Sequence, residues 1–173
     1  MNRTGLIATL ALLALAGVCS AEILNVPDEY ETIQAGIDAS EDGDTVLVQP
    51  GTYVENIDFN GHNIVLGSLY LTTGDTAYVD STVIDGDRNG NVVSFVNREP
   101  EGTELTGLTI RNGRAQRYDI DDRHWFYAGG GIYSIHASPT FSHCVVTEND
   151  AVTRDGKGGG AYLTGGTVGF ADC

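Results

Sequence analysis

Gly129-Gly130-Gly131-Ile132-Tyr133 returns 29 residues later as Gly158-Gly159-Gly160-Ala161-Tyr162, and the same offset carries Phe141 onto Phe170 and Cys144 onto Cys173. Six identities at one spacing, among them a glycine triplet and rare residue types, mark an internal repeat. A period between about 20 and 50 residues is the signature of a solenoid, in which each repeat is one supersecondary unit that cannot bury its apolar face alone. A weaker echo sets Gly107-Leu108-Thr109-Ile110 against His143-Cys144-Val145-Val146 at an offset of 36. Stacked repeats put like residues over like at about 4.8 Å, so Tyr133 over Tyr162 and Cys144 over Cys173 are expected to form ladders.

Outward from the triplets the chain reads as short strands. Thr45–Val48, Asn63–Leu66, Val92–Phe95, Leu108–Ile110 and Cys144–Val146 are β-rich and three or four residues long. Pro50-Gly51, Asn60-Gly61, Asp85-Gly86, Asn89-Gly90, Asn112-Gly113 and Asn149-Asp150 punctuate them. The spacing predicts one helix, over Glu29–Ala39: Ile33 and Ile37 share a face, Asp28 is placed to cap the start with Glu31 three residues on, and Gly43 to mark the stop. Gly36 should weaken this helix by about 1 kcal/mol. Strands without helices between them make the solenoid a β-solenoid.

The run Tyr30 to Ala39, followed by Asp42–Val48 and by Pro50-Gly51-Thr52-Tyr53-Val54-Glu55-Asn56-Ile57, resembles the opening of pectin-lyase-like right-handed parallel β-helix proteins. In that family the helix caps the open end of the coil stack. Gly129–Tyr133 and Ser138–Cys144 are similar to coil repeats of secreted bacterial members. The resemblance implies an all-β, right-handed parallel β-helix with an N-terminal capping helix and about five coils. It specifies fold far better than function, since one fold hosts many activities.

Residues 1–21 read as a secretory signal, with Arg3 before an apolar Leu6–Val18 run that is shorter than a membrane span of about 20 residues. Cys19-Ser20-Ala21 offers small residues for cleavage before Glu22. Lipidation of Cys19 is the rival reading, and the bulky Val18 disfavours it. The expected product is one β-helix domain over residues 22–173, secreted to the extracellular space, the cell surface or the periplasm. The 29-residue alignment halts at Cys173 where a strand should begin, so downstream β-helix coils of a longer chain are expected as its first partner.

The chain carries 24 acidic residues against 9 Lys and Arg, a formal net charge of −15. Nucleic acid is excluded as a partner, because phosphate binding needs a basic footprint. Hydrophobic residues make up 41%, enough for a packed core. Export permits a disulfide between Cys144 and Cys173. Side chains stacked in parallel point the same way, which favours two free thiols over a bridge.

The segment Arg114–Tyr127 interrupts the coils and gathers charges, aromatics and the only tryptophan. Insertions on one side of a solenoid often build its binding face. Asp119, Asp121, Asp122, His124, Trp125 and Tyr127 are therefore the candidate ligand-binding residues, suited to a polysaccharide or cell-surface glycan. The competing reading is a satellite core against the coil flank. Asp85, Asp87 and Asn89 look like half of a calcium loop, with Gly90 at the sixth position but Val96 where a bidentate Glu belongs. A Gly/Asn/Asp turn is the plainer account of Asp85–Asn91, and Ca2+ is the only cofactor the sequence raises.

Gly51-x-Tyr53-x-Glu55 matches an early pectinesterase signature, but the family's catalytic segments have no counterpart here, and the paired carboxylates such chemistry requires are not supplied by this stretch. Tyr53 and Glu55 are read as organising the first turn, and His62, His136 and His143 as turn or surface residues. No catalytic residue is assigned. The sequence thus points to an exported, non-catalytic module with a glycan- or surface-binding face. The alternatives are a fragment of a carbohydrate-active enzyme, either a polysaccharide lyase or pectinesterase-like, and a structural spacer stalk.

Overall fold

The computed structural model of the chain describes residues 20–121, 124–151 and 156–173. The expected signal peptide lies almost wholly outside the described residues, as does Asp122.

The chain opens with β1 (Ile23–Val26), then α1 (Ile33–Ala39). The first full turn is β2 (Thr45–Val48), β3 (Gly51–Val54) and β4 (Ile57–Asp58). The second is β5 (Val65–Ser68), two short helices α2 (Tyr70–Thr73) and α3 (Ala77–Ser81), β6 (Thr82–Asp85) and β7 (Val93–Phe95). The third runs through β8 (Glu104–Thr106), β9 (Thr109–Arg111), a hairpin of β10 (Gln116–Asp121) and β11 (His124–Ala128), and β12 (Ile132–Ile135). The fourth holds β13 (Thr140–Ser142), β14 (Val145–Thr147), β15 (Gly156–Lys157) and β16 (Ala161–Thr164), and β17 (Gly169–Ala171) follows.

Each turn visits three sheets in the same order. The first sheet is β1-β2-β5-β8-β13-β17, the second β3-β6-β9-β14 and the third β4-β7-β12-β16. All pairs within these three sheets are parallel. Three parallel sheets wound in sequence around one core are a parallel β-helix, as expected. The repeat offsets are structural registers: Tyr133 sits beside Tyr162, Phe141 beside Phe170, and Thr109-Ile110 beside Val145-Val146.

The core is one continuous cluster from Val26 to Cys144. Phe59, Phe95 and Phe141 are fully buried and form a chain of rings with Phe170. Phe59 stacks on Phe95 at 4.4 Å, Phe95 meets Phe141 edge-on at 5.5 Å, and Phe141 stacks on Phe170 at 4.9 Å. The glycine triplet has a steric cause. A Cβ on Gly130 or Gly131 would collide with the carbonyl of Gly159 or Gly160 in the next turn. The bare backbones instead bond directly, with Gly130 N donating to Gly158 O and Gly131 N to Gly159 O.

The sheets end in left-handed residues. Gly107, His143 and Asp172 leave the first sheet at φ of 67, 50 and 52°. Asn112 and Glu148 leave the second, and Asn60, His136 and Gly165 the third, also at positive φ. Gly, Asn, Asp and His dominate because they tolerate this conformation best.

The helix differs from its sequence reading. It starts at Ile33, four residues later, and its cap is Thr32, whose Oγ1 accepts from Ala35 N. Asp28 does not cap it. Asn25 O instead takes the N–H groups of Glu29 and Tyr30, folding residues 25–30 into a turn. The first helical donors are met from a distance: Glu55 Oε1 accepts from Ile33 N and Oε2 from Gln34 N, each at 3.0 Å. Ile33 and Ile37 are both buried, as the spacing requires. Gly36 is there for contact, since a Cβ would lie 3.0 Å from Val46 Cγ1. Nor is α1 the only helix: α2 and α3 form an insertion between the first and second sheets.

Candidate functional site

The Arg114–Tyr127 insertion is an antiparallel hairpin, not a loop. Gln116 pairs with Ala128, Arg117 with Tyr127, Tyr118 with Phe126 and Asp119 with Trp125. Side chains on a strand alternate between faces, so the cluster seen in sequence is divided. Tyr118 and Phe126 face the solenoid. The Tyr118 ring lies parallel to Tyr133 at 4.1 Å, and Phe126 sits 5.6 Å from Tyr162. Tyr133 is buried beneath them. Arg117, Asp119, Trp125 and Tyr127 occupy the other face. Asp119 is exposed, Trp125 is 47% exposed and Tyr127 half-buried. Arg117 bonds Asp119 at 2.7 Å and rests its guanidinium 4.6 Å from the Trp125 ring centre. His124 is exposed near the tip, and Asp121 is the last residue of β10. Tyr118 and Phe126 thus pack as a satellite core, while Arg117, Asp119, Trp125 and Tyr127 lie on the hairpin's other face.

The hairpin also walls a groove that the sequence did not reveal. Along the outer face of the third sheet, Asp58, Ser94, Tyr133 and Tyr162 are consecutive rungs. Tyr118 covers the third rung, so the first two, Asp58 and Ser94, floor a concavity of about 320 Å³. Gln34 of α1 closes one side, Gln116 and Tyr118 the other, and Asn56, Ile57, Asn91 and Val96 complete the lining. Asn91 fixes the wall: its amide donates to Ala128 O and Gly129 O, and its Oδ1 accepts from the Tyr118 hydroxyl. Burial, with the neighbouring Tyr133 and Asp58, pushes the Tyr118 phenol well above its ordinary pKa, so it stays a neutral donor. Rungs this far apart in sequence carry no local pattern. The alternating sheet face was the only signal that could have found them.

The other candidates are structural in geometry. Asp85 is buried; its Oδ1 accepts from Asp87 N at 3.0 Å, and its Oδ2 from Arg111 Nε at 2.9 Å and Asn112 Nδ2 at 2.8 Å. Burial raises its pKa, and these three donors more than reverse the effect, leaving it below the ordinary value. Asp87 and Arg88 take positive φ in the turn that contains Asn89. Among the described residues no group of three His, Cys, Asp or Glu is arranged to hold a metal. Tyr53 donates to Gln49 O, and Glu55 caps α1, so this pair organises the first turn. His143 is less exposed than a surface residue, with its ring 4.5 Å from Tyr70 and Nε2 3.6 Å from Asp172. Cys144 and Cys173 are free thiols, the first buried and the second exposed, with Cys144 N donating to Cys173 Sγ at 3.4 Å.

Among the described residues no helix is long and apolar enough to cross a membrane. No family model and no solved structure matches the chain. It is similar to a curated protein named cell surface glycoprotein, from Methanothermus fervidus, at 26% identity over 140 residues. The match covers 72% of this chain and 22% of the glycoprotein, so the chain corresponds to about a fifth of that relative's length.

Proposed function

We propose that this chain is an exported, non-catalytic β-helix module of a cell-surface protein, and that it binds glycans on the flank carrying the hairpin. The observation that carries the reading is the hairpin itself. It turns one outer sheet of the solenoid into a walled groove, and raises an exposed tryptophan among charges on its outer face. The groove is lined mainly by amides, a hydroxyl and a carboxylate, with Ile57, Val96 and the Tyr118 ring between them, which suits a hydroxyl-rich ligand. The name of the Methanothermus relative supports a surface location, and the apolar Leu6–Val18 run supports export. The pectin-lyase-like resemblance of the opening segment and the coils is part of the same reading, because that family includes enzymes that act on pectic polysaccharides.

The catalytic alternative is less well supported. Glu55 spends both carboxylate oxygens on the α1 N-terminus, and Tyr53 spends its hydroxyl on a backbone carbonyl. The test is a glycan array probed with the purified chain. Saccharide hits that weaken on substitution in the hairpin flank are expected. An array without hits would refute glycan binding and favour the spacer reading.

A further inference from the structure

Asp58 is the only charged residue lining the groove, and it is half-buried there. Its Oδ1 accepts from Asn60 N at 2.7 Å and from Asn97 Nδ2 at 3.0 Å, while its Oδ2 has no partner among the described residues. Asp38 stands behind the rim, bonded to the amides of Gln34 and Asn60 at 2.8 Å each. The groove therefore presents negative charge from its floor and from behind one wall, in a chain whose net charge is already −15. The Ser94 hydroxyl and the Gln116 amide lie in the same lining and make no side-chain hydrogen bond among the described residues. Val96, 38% exposed, and the Tyr118 ring supply apolar surface between these polar groups.

We propose that this groove takes a sugar without acidic groups, with a ring hydroxyl or amine donated to Asp58. The inference rests on the glycan-binding reading above and narrows it. A carboxylate floor accepts hydroxyl or ammonium donors through charge-assisted bonds, and it repels uronate or sulfate. The Ser94 hydroxyl and the Gln116 amide both donate and accept, so they match neutral hydroxyls on either side of that contact. Val96 and Tyr118 suit the C–H face of a pyranose ring. Trp125 is a weaker platform, because the Arg117 guanidinium already covers one face of its ring.

Three hexasaccharides titrated calorimetrically against the chain at low salt test this: glucosamine hexamer, cellohexaose and hexagalacturonate. Binding of the first two, with the amine form tighter, and no binding of the third are expected. Asp58→Asn should weaken the glucosamine hexamer about tenfold or more and erase its advantage over cellohexaose. Gln116→Ala removes a side chain with no described hydrogen bond, so its fold should be intact; it should weaken both ligands. Hexagalacturonate binding as tightly as cellohexaose would overturn the charge selection and leave glycan binding standing. Binding lost in Trp125→Ala but kept in Asp58→Asn and Gln116→Ala would overturn the groove and leave the flank as the binding face. No binding by any of the three, together with an array without hits, would overturn both readings.

Discussion

Phe95→Ala should be the most damaging single truncation in the core, and the contrast with Phe170→Ala makes it diagnostic. Phe95 is fully buried between two rings, stacked on Phe59 at 4.4 Å and edge-on to Phe141 at 5.5 Å. Truncating a buried Phe costs about 3–5 kcal/mol in transfer and cavity terms. Each lost ring pair adds roughly 0.5–1.5 kcal/mol. The expected loss is about 4–8 kcal/mol, much of the stability of a domain this size. Phe170 is 47% exposed and touches one ring, Phe141, at 4.9 Å. Half of an ordinary apolar burial and one ring pair come to about 1.3–3 kcal/mol. Urea unfolding followed by far-UV circular dichroism reads both values on the same chain. In a solenoid each rung contacts only its neighbours, so Phe95→Ala should also split the transition by uncoupling the turns on either side. A Phe95→Ala loss no larger than that of Phe170→Ala, with one unbroken transition, would refute the continuous ring column.

Three further outcomes are expected. Glu55→Ala should cost about 1–2 kcal/mol by leaving two helix donors without their charged acceptor, with Glu55→Gln recovering part of it in the same thermal melt. Asp85 is held below its ordinary pKa, so the stability it contributes is complete above the unfolded value of 3.8 and is lost as pH falls through the lower folded value. Acid titration should show this loss below about pH 4, and Asp85→Asn should flatten it. Burial first, and the neighbouring Cys173 second, push the Cys144 thiol up to about 12. At pH 8 an alkylating reagent read by mass spectrometry should therefore label exposed Cys173 readily and Cys144 only after unfolding.

The turns that were legible in the sequence are those that lack unequal insertions. Between Gly129 and Cys173 the two copies have equal length, so residues 29 apart really are neighbours. Phe59 and Phe95 are 36 residues apart on the third sheet, where α2–α3 lengthens the turn, and Phe141 meets Phe95 across the core from the first sheet, where its rung partner is Leu105. A fixed-offset comparison cannot see such a column. The start of α1 was misplaced for a related reason. Its decisive acceptor, Glu55, comes from the next turn, whereas capping rules look only at adjacent residues. The candidate cluster around Trp125 was found by its composition, but composition carries no facing. Only the pairing of β10 with β11 separates Tyr118 and Phe126 from Arg117 and Trp125. The groove was invisible because Asp58, Ser94 and Gln116 meet only across turns.

The hairpin's inward rings also have a mechanical consequence. Tyr118 rests on Tyr133 of β12, and Phe126 reaches Tyr162 of β16, while β11 pairs in parallel with β15 of the next turn. The hairpin therefore straddles two successive rungs from outside, as a clasp holds two pages. Each turn of a solenoid is bonded only to its neighbours, so turns can give way one at a time. Here the third and fourth rungs are joined by a second, external route and must yield together. Under a pull from one end these two turns would give way as a unit, whereas the groove floor, Asp58 on the first turn and Ser94 on the second, lies outside the clasp.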